Sequence, residues 1–331
     1  MRTTRVAVLR GGPSEEFEVS LRSGEHVLRS LDAAKYHPID IVITKQGEWL
    51  LHGRTRDPHE ALMGVDVVLS ALHGAYGEDG TVQRILERSG VPYTGTDAYH
   101  SAIAFHKAIT KDHLRHHGVK MARHMVVGHS ALHHTMGMAA SITELIKASA
   151  YIVKPVASGS SMGVRRAMNV HELAHALSES FKTYEQVLVE ELIVGREATV
   201  GVIEGFRNAP LYALPVVEIV TDPGAFFDYE TKYHSTNPNV EKCPSDFSLT
   251  EKRELERLAK LAHTTLGLRH YSRSDFIVAK DGIYFLEVNT LPGLTEQSLV
   301  PKALNAVGAS MSDFVDHLLT QTIHERRTAM A

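Results

Sequence analysis

The chain has 331 residues, 35 Lys+Arg against 39 Asp+Glu and a formal net charge of −4, with 43% hydrophobic and 22% charged residues. That composition excludes a disordered chain and gives no basic excess for a broad grip on nucleic acid; the length implies two or three domains. No apolar run approaches the ~18–20 residues of a membrane span. The polar start Met1–Arg5 lacks the apolar stretch of a signal peptide, and one cysteine, Cys243, fits a reducing compartment, so the expectation is a cytoplasmic protein.

Val6–Leu9 is a short apolar strand ending in Arg10, Gly11, Gly12 and Pro13. Val19, Val27, Leu28 and Leu31 follow at helical spacing, and Ile39–Thr44 is β-branched and strand-like. Val65–Ala71 is apolar throughout, the pattern of a strand buried on both faces of a parallel sheet. Val82–Leu86 reads as helix and Val91–Tyr93 as a short strand. This alternation predicts a doubly wound parallel sheet whose crevice lies beyond the carboxyl ends of its strands, where Gly11–Gly12 and His73–Gly74 fall.

Beyond Tyr99 the grammar changes. Ala102–His117 reads as one helix stopped by Gly118. Tyr151–Pro155, Gln186–Ile193, Ala198–Ile203 and Leu211–Ile219 are four strand-like runs, linked by turns rather than helices, which predicts an antiparallel α+β region. Asp222–Pro244 is long, polar and aperiodic, a kind of loop that is usually functional or disordered. Leu249–Leu266 is an amphipathic helix, and two strands and a final helix, Ser312–Ile323, close the chain.

The chemistry concentrates between Arg273 and Pro301. Phe276–Ala279 and Ile283–Val288 flank Lys280-Asp281-Gly282, a hairpin signal. A two-residue loop, Asp281–Gly282, would put Asp275 and Glu287 on opposite faces; a three-residue loop, Lys280–Gly282 with a left-handed Gly282, pairs them directly. The bulged version is predicted. It aligns Arg273, Asp275, Glu287 and Asn289 on one face. Two carboxylates and an amide are hard oxygen ligands suited to Mg²⁺. A neighbouring Arg suits a developing oxyanion or phosphoryl charge.

Tyr151–Pro155 delivers Lys154 at a strand end, followed by Ser158–Gly163, a glycine-serine loop whose N–H groups could approach phosphates. A plain turn would look the same, and the P-loop pattern is absent. Val187–Ile193 carries Glu190 and Glu191 in a strand, whose backbone from Glu191 to Ile193 could read an adenine edge; charges guarding an edge strand are the alternative. Nine of 21 histidines lie between His100 and His134, yet no metal motif accompanies them, and a solvated helix face bearing His113, His116 and His117 explains them better.

Together these residues resemble the D-alanine–D-alanine ligase family of the ATP-grasp superfamily over nearly the whole chain. The resemblance runs from Gly11–Ser20 through His73-Gly74, Gly77–Gly80, Pro92–Gly95, Lys107, Lys154-Pro155, Gly159-Ser160-Ser161, Asp228–Tyr233 and Arg273–Asp275 to Asn289–Pro301. It implies an N-terminal doubly wound parallel-sheet α/β domain, 1–97, and a two-lobed ATP-grasp fold with antiparallel sheets, 98–187 and 188–331. ATP would lie between those sheets. By the same match Lys107, Lys154 and Lys232 would neutralise the ATP phosphates, and Ser161 would also bind ATP. Glu190, Glu191, Leu192, Ile193 and Glu197 would hold adenine and ribose. Asp275, Glu287 and Asn289 would bind two Mg²⁺, or Mn²⁺. Glu16 would pair with the ammonium of the first D-alanine, in a set with Ser160 and Tyr233. Arg273 and the Gly293 N–H would stabilise the oxyanion, Ser298 and Leu299 would receive the second carboxylate, and His73 would lie near the substrates. The loop Tyr229–Thr236 would be the lid.

The reaction implied is ATP-dependent joining of two D-alanines through an acyl phosphate, for peptidoglycan precursors, by a homodimer that binds neither nucleic acid nor membrane. Three residues depart from the family pattern: His106 stands where Asp is common, Leu192 where an aromatic often covers adenine, and Ser274 where the residue is usually apolar. The resemblance implies that Tyr233 goes with peptide rather than D-alanyl-D-lactate formation. The competing readings are a D-lactate or D-serine ligase, another ATP-grasp carboxylate–amine ligase, and a non-catalytic nucleotide-binding regulator. A Rossmann dehydrogenase fails because Gly11-Gly12 lacks the required glycine spacing.

Overall fold

A computed structural model describes residues 3–159, 162–220 and 241–330. Strand β1 (Thr4–Gly11), helix α1 (Phe17–Ser30), β2 (Tyr36–Ile43), β3 (Trp49–Leu51), β4 (Arg54–Arg56), the short α2 (Pro58–Ala61) and β5 (Val67–Ser70) give a five-stranded sheet of order β4-β3-β2-β1-β5. β1 is parallel to β2 and β5, as the apolar runs predict, and the β3–β4 hairpin adds an antiparallel edge that the sequence did not announce. Side-chain alternation along β1 feeds two cores. Val6 and Val8 enter one, and Ala7 and Leu9 the other with Trp49 and Val82 of α3 (Thr81–Ser89). Val91–Tyr93 contributes only one bridge, Tyr93 to Val68.

The helix expected over Ala102–His117 is two helices, α4 (Ala98–Phe105) and α5 (Lys107–Arg115). His106 between them is extended (φ −91°, ψ 97°), and its Nδ1 accepts from Ile109 N–H at 3.3 Å. An imidazole thus caps α5 where the family favours Asp, and periodicity could not reveal the break because apolar residues continue across it.

β6 (His124–Gly128), a 3₁₀ turn (His129–His134), α6 (Thr135–Ile146), β7 (Tyr151–Pro155), β8 (Arg165–Ala167), α7 (Val170–Ser180) and β9 (Gln186–Glu191) form a four-stranded antiparallel sheet of order β6-β9-β7-β8. Helix α7 connects runs expected to be joined by turns alone. Its N-terminus is capped by Asn169, whose Oδ1 accepts from His171 and Glu172 N–H, and its apolar stripe is thinned by His and Ser. The boundary expected between 187 and 188 falls inside β9, which pairs with β6 and β7 through Glu190 and Glu191.

β10 (Arg196–Glu204), β11 (Leu211–Ala213), β12 (Val217–Ile219), β13 (Glu241–Lys242), α8 (Leu249–Thr265), β14 (Tyr271–Ala279) and β15 (Gly282–Asn289) build a six-stranded antiparallel sheet, followed by α9 (Leu299–Ala306) and α10 (Met311–Met330). The run Leu211–Ile219 is therefore two strands on different stretches of β10. A capping box of Ser248 and Glu251 starts α8. Phe314, Leu318 and Leu319 of α10 share a buried cluster with Val6, Val8, Val67 and Leu69, so the last helix seals the first sheet. Among the described residues no helix is long and apolar enough to cross a membrane.

Candidate active site

The hairpin β14–β15 pairs Arg273 with Asn289 and Asp275 with Glu287, so the four side chains expected on one face share it. The turn differs from the expectation. Ala279 pairs with Gly282 across a two-residue Lys280–Asp281 turn, and the register shifts next to Asp275, where Leu286 is the extra residue. The bulge sits beside the acids rather than at the turn, and the net register is the same.

Asp275 is buried and saturated. Its Oδ1 accepts from Arg273 Nε (2.9 Å) and the Thr199 hydroxyl; its Oδ2 accepts from Arg273 Nη2 (2.8 Å) and Asn289 Nδ2 (3.1 Å). Burial works against the Arg273 charge, but Asp275, Glu287 and Glu78 outweigh it and raise its pKa further. Lys107, the first residue of α5, donates to Ser158 O (2.6 Å) and lies 3.2 Å from Glu287 Oε2, so it ties the glycine loop to the hairpin. Lys154, near the end of β7, reaches Glu190 Oε2 at 2.6 Å. Burial opposes ionisation of Glu190, but Lys111 and Lys154 bring its pKa down to about 2. Glu197 lies half-buried on β10 opposite Ile277.

The opposite wall comes from the first sheet. A Cβ at Gly159 would stand 2.3 Å from Glu16 Oε2, and one at Gly74 would stand 2.7 Å from it, so the Glu16 carboxylate packs between two glycine turns. Glu78, which the resemblance covers only within Gly77–Gly80, proves central. It is buried, and its carboxylate accepts from the N–H groups of Gly74 (2.9 Å), Thr290 (3.1 Å) and Leu291 (3.0 Å). Burial and the charge of Glu16 outweigh these donors and lift its pKa to about 7. A cleft lined by Glu78, Lys107, Ser158, Gly159, Glu287 and Asn289 joins the two walls.

His73, expected near the substrates, gives both ring nitrogens to the fold. Its buried ring bonds Leu291 O through Nδ1 (2.8 Å) and the Ser23 hydroxyl through Nε2 (2.8 Å). A carbonyl only accepts, so Nδ1 carries the proton and Nε2 accepts from Ser23, whose oxygen in turn accepts from Leu294 N–H at 3.2 Å. Burial lowers the His73 pKa, which keeps the ring neutral. His73, Ser23 and Glu78 thereby hold both ends of the segment that carries Gly293. A Cβ on Gly293 would meet Ser298 Oγ at 2.8 Å, so only glycine lets Ser298 fold back toward Thr295 N–H (3.1 Å) ahead of Leu299 and α9.

At the expected adenine edge, Glu191 N–H donates to Arg123 O (3.0 Å) and Leu192 N–H to Ala150 O (2.9 Å). The Glu191 carboxylate is held by Arg123. Continuation of sheet pairing to the strand's last residue takes these groups. Ile193 lies immediately beyond. His113, His116 and His117 are exposed, and no group of three or more His, Cys, Asp and Glu gathers as a metal site among the described residues. Ser160, Ser161, Lys232, Tyr233 and the lid segment Tyr229–Thr236 lie outside the described residues.

The sequence matches "D-ala D-ala ligase N-terminus" over residues 5–63 and 52–96, and "D-ala D-ala ligase C-terminus" over 114–320. The chain belongs to the D-alanine–D-alanine ligase family. The D-alanine--D-alanine ligase of Pseudoalteromonas translucida is 39% identical over 321 residues, 96% of this chain and 97% of that one. Among solved structures, the D-alanine-D-alanine ligase from Coxiella burnetii superposes with a TM-score of 0.85 at 26% identity, over 100% of this chain and 97% of that one. The ATP-complexed enzyme from Bacillus anthracis gives 0.78 at 27%, over 98% and 99%. The ligase thus combines a parallel-containing first sheet with the two antiparallel sheets of the ATP-grasp architecture.

Proposed function

We propose that this ligase joins two D-alanines at the expense of ATP, with the acid-bearing face of β14–β15 as its reaction centre. The observation that carries the reading is convergence: Asp275, Glu287 and Asn289 on one face, Arg273 and Lys107 beside them, and Glu16 against Gly159, which shares a cleft with Lys107, Glu287 and Asn289.

The donor set suits a hard divalent cation. Two facing carboxylates need positive charge between or beside them, and here Arg273 and Lys107 supply it. Asp275, Glu287 and Asn289 would hold two Mg²⁺, and Asp275 would give up one of its four hydrogen bonds in doing so. Bound there, the ions would neutralise phosphate charge during transfer.

In the first step a carboxylate oxygen of one D-alanine bonds to the γ-phosphorus of ATP, and ADP leaves. Glu16 fixes that substrate through its ammonium group, while Lys107, Lys154 and Lys232 take up phosphate charge. In the second step the amine of the other D-alanine attacks the acyl carbon, loses a proton and expels phosphate. Arg273 and the Gly293 N–H receive the oxyanion between those events. Ser298 and Leu299 hold the second carboxylate at the start of α9. Tyr233 with Ser160 would complete the amino-acid pocket and favour an amine over a hydroxy acid, and Ser161 would add to the phosphate contacts. Glu190, Glu191, Leu192, Ile193 and Glu197 are the adenine and ribose residues of this reading.

Division into three units, with the second break moved past Glu191, fits the sheet pairings better than one at 187. Homodimer formation and a cytoplasmic location for peptidoglycan precursor synthesis complete the reading. The test is phosphate release from Mg·ATP with D-alanine, L-alanine, or D-alanine plus D-lactate or D-serine, with products identified by mass. D-alanine-dependent release giving the dipeptide is expected. A depsipeptide or D-alanyl-D-serine as main product would overturn the assignment of the second substrate, and no D-alanine-dependent release would overturn the reaction.

A further inference from the structure

Lys111 is a buried cation that the catalytic scheme leaves without a task. It is 0% exposed, and isolated burial of an ammonium group is costly. Its Nζ lies 2.7 Å from Glu190 Oε1 and 3.5 Å from Phe285 O. The same carboxylate receives Lys154 on its other oxygen at 2.6 Å. One anion therefore faces two cations, walled off from water, and one of the cations belongs to the phosphate-binding set.

The break at His106 makes this arrangement possible. With α5 restarting at Lys107, Lys107 and Lys111 stand four residues apart on one helix face. Lys107 reaches the glycine loop and Glu287, and Lys111 reaches one strand of each antiparallel sheet: β9 through Glu190 and β15 through Phe285. Those are the two sheets between which the nucleotide is read to lie.

We propose that Lys111 is a positioning residue for the nucleotide, holding Glu190 in place as the acceptor for the adenine amino group when Lys154 turns to the phosphates. The inference rests on the reading above that Glu190 belongs to the ATP site. Without a nucleotide, both lysines hold Glu190. With phosphates present, Lys154 has a stronger anionic partner, and Lys111 alone keeps the carboxylate charged and oriented. A methionine at 111 fills the space but leaves Glu190 with no counter-charge once ATP arrives. Its carboxylate then either keeps Lys154 from the phosphates or loses its fixed position, and both outcomes weaken ATP binding.

The experiment compares the full-length wild type with Lys111→Met, Glu190→Gln and the double variant. It reads KM for ATP, KM for D-alanine and kcat at saturating substrates. Lys111→Met is expected to raise KM for ATP about tenfold, with kcat and the D-alanine KM changed less than about twofold. In the Glu190→Gln background, where no carboxylate at 190 needs a counter-charge, the same substitution should add less than about twofold. Equal multiplication of KM for ATP in both backgrounds would overturn the proposal, as would parallel loss in all three parameters. Should Lys111→Met alone not fold, the double variant against Glu190→Gln still decides: a difference above about threefold overturns it. If Glu190→Gln itself leaves KM for ATP unchanged, the nucleotide-site reading of Glu190 fails first, and that result is distinct from failure of Lys111 alone.

Discussion

Glu78 carries more of the site than any other residue that the sequence left without a role. It receives three backbone N–H groups from two segments far apart in the chain, and burial with Glu16 nearby lifts its pKa to about 7 from 4.5. A raised acid pKa means that the native state holds a proton the unfolded chain has already released. Stability contributed by that proton is full below about pH 4.5, falls as pH rises and is gone above about pH 7. Chemical denaturation across pH 5 to 8 should therefore show a decline in the wild type that Glu78→Gln lacks, although the variant starts lower because an amide nitrogen cannot accept a backbone N–H. A parallel pH dependence in both proteins would refute this. Lys111 and Glu78 escaped notice for one reason. A buried charge looks like a surface charge in sequence, and only its partners, here Glu190 and three backbone N–H groups, tell them apart.

At the level of elements, two substitutions separate position from stability. Gly159→Ala places a Cβ 2.3 Å from Glu16 Oε2, the far end of a flexible side chain, so Glu16 moves and the fold does not. The expected result is a KM for D-alanine raised about tenfold or more with the melting temperature nearly unchanged, read by steady-state kinetics and calorimetry. Ser274 is fully buried in β14 and its hydroxyl has no partner among the described residues, which accounts for the family preference for an apolar residue there. Ser274→Ala should raise stability by about 1 kcal/mol in denaturant titration without loss of kcat. The hairpin that bears Ser274 shows how much of an element was legible. Period-2 alternation correctly paired Asp275 with Glu287. It could not locate the extra residue, because a bulge at the turn and a bulge at Leu286 give the same register beyond it.

Across the whole molecule, the first sheet and the last helix share one core. Phe314 is fully buried with Val6, Val8, Val67 and Leu69, and its ring meets Tyr271 edge-on at 5.3 Å. Phe314→Ala should cost about 3–5 kcal/mol, measured by denaturant unfolding. The same change should raise KM for D-alanine, since Leu291 and Leu294, on either side of Gly293, belong to that core. The α10 side is further fastened by Tyr36 and Lys35 on Asp316, and the β14 side by Gly95 N–H on His270 and Arg269 N–H on Thr96. An unchanged D-alanine KM in a folded Phe314→Ala protein would mean that the walls of the site are held independently of this core.

The sequence by itself determined the family, the parallel start and antiparallel remainder of the fold, and the shared face of Arg273, Asp275, Glu287 and Asn289. These are local matters: strand periodicity, glycine at turns and residue types ordered along a motif. Tertiary structure alone decided that His73 is a neutral strut between Ser23 and Leu291, that Glu191 and Leu192 turn their N–H groups to the fold, and that Glu78 and Lys111 are buried. Each depends on which distant backbone or charge arrives beside the residue, and burial then selects its protonation state and its partner.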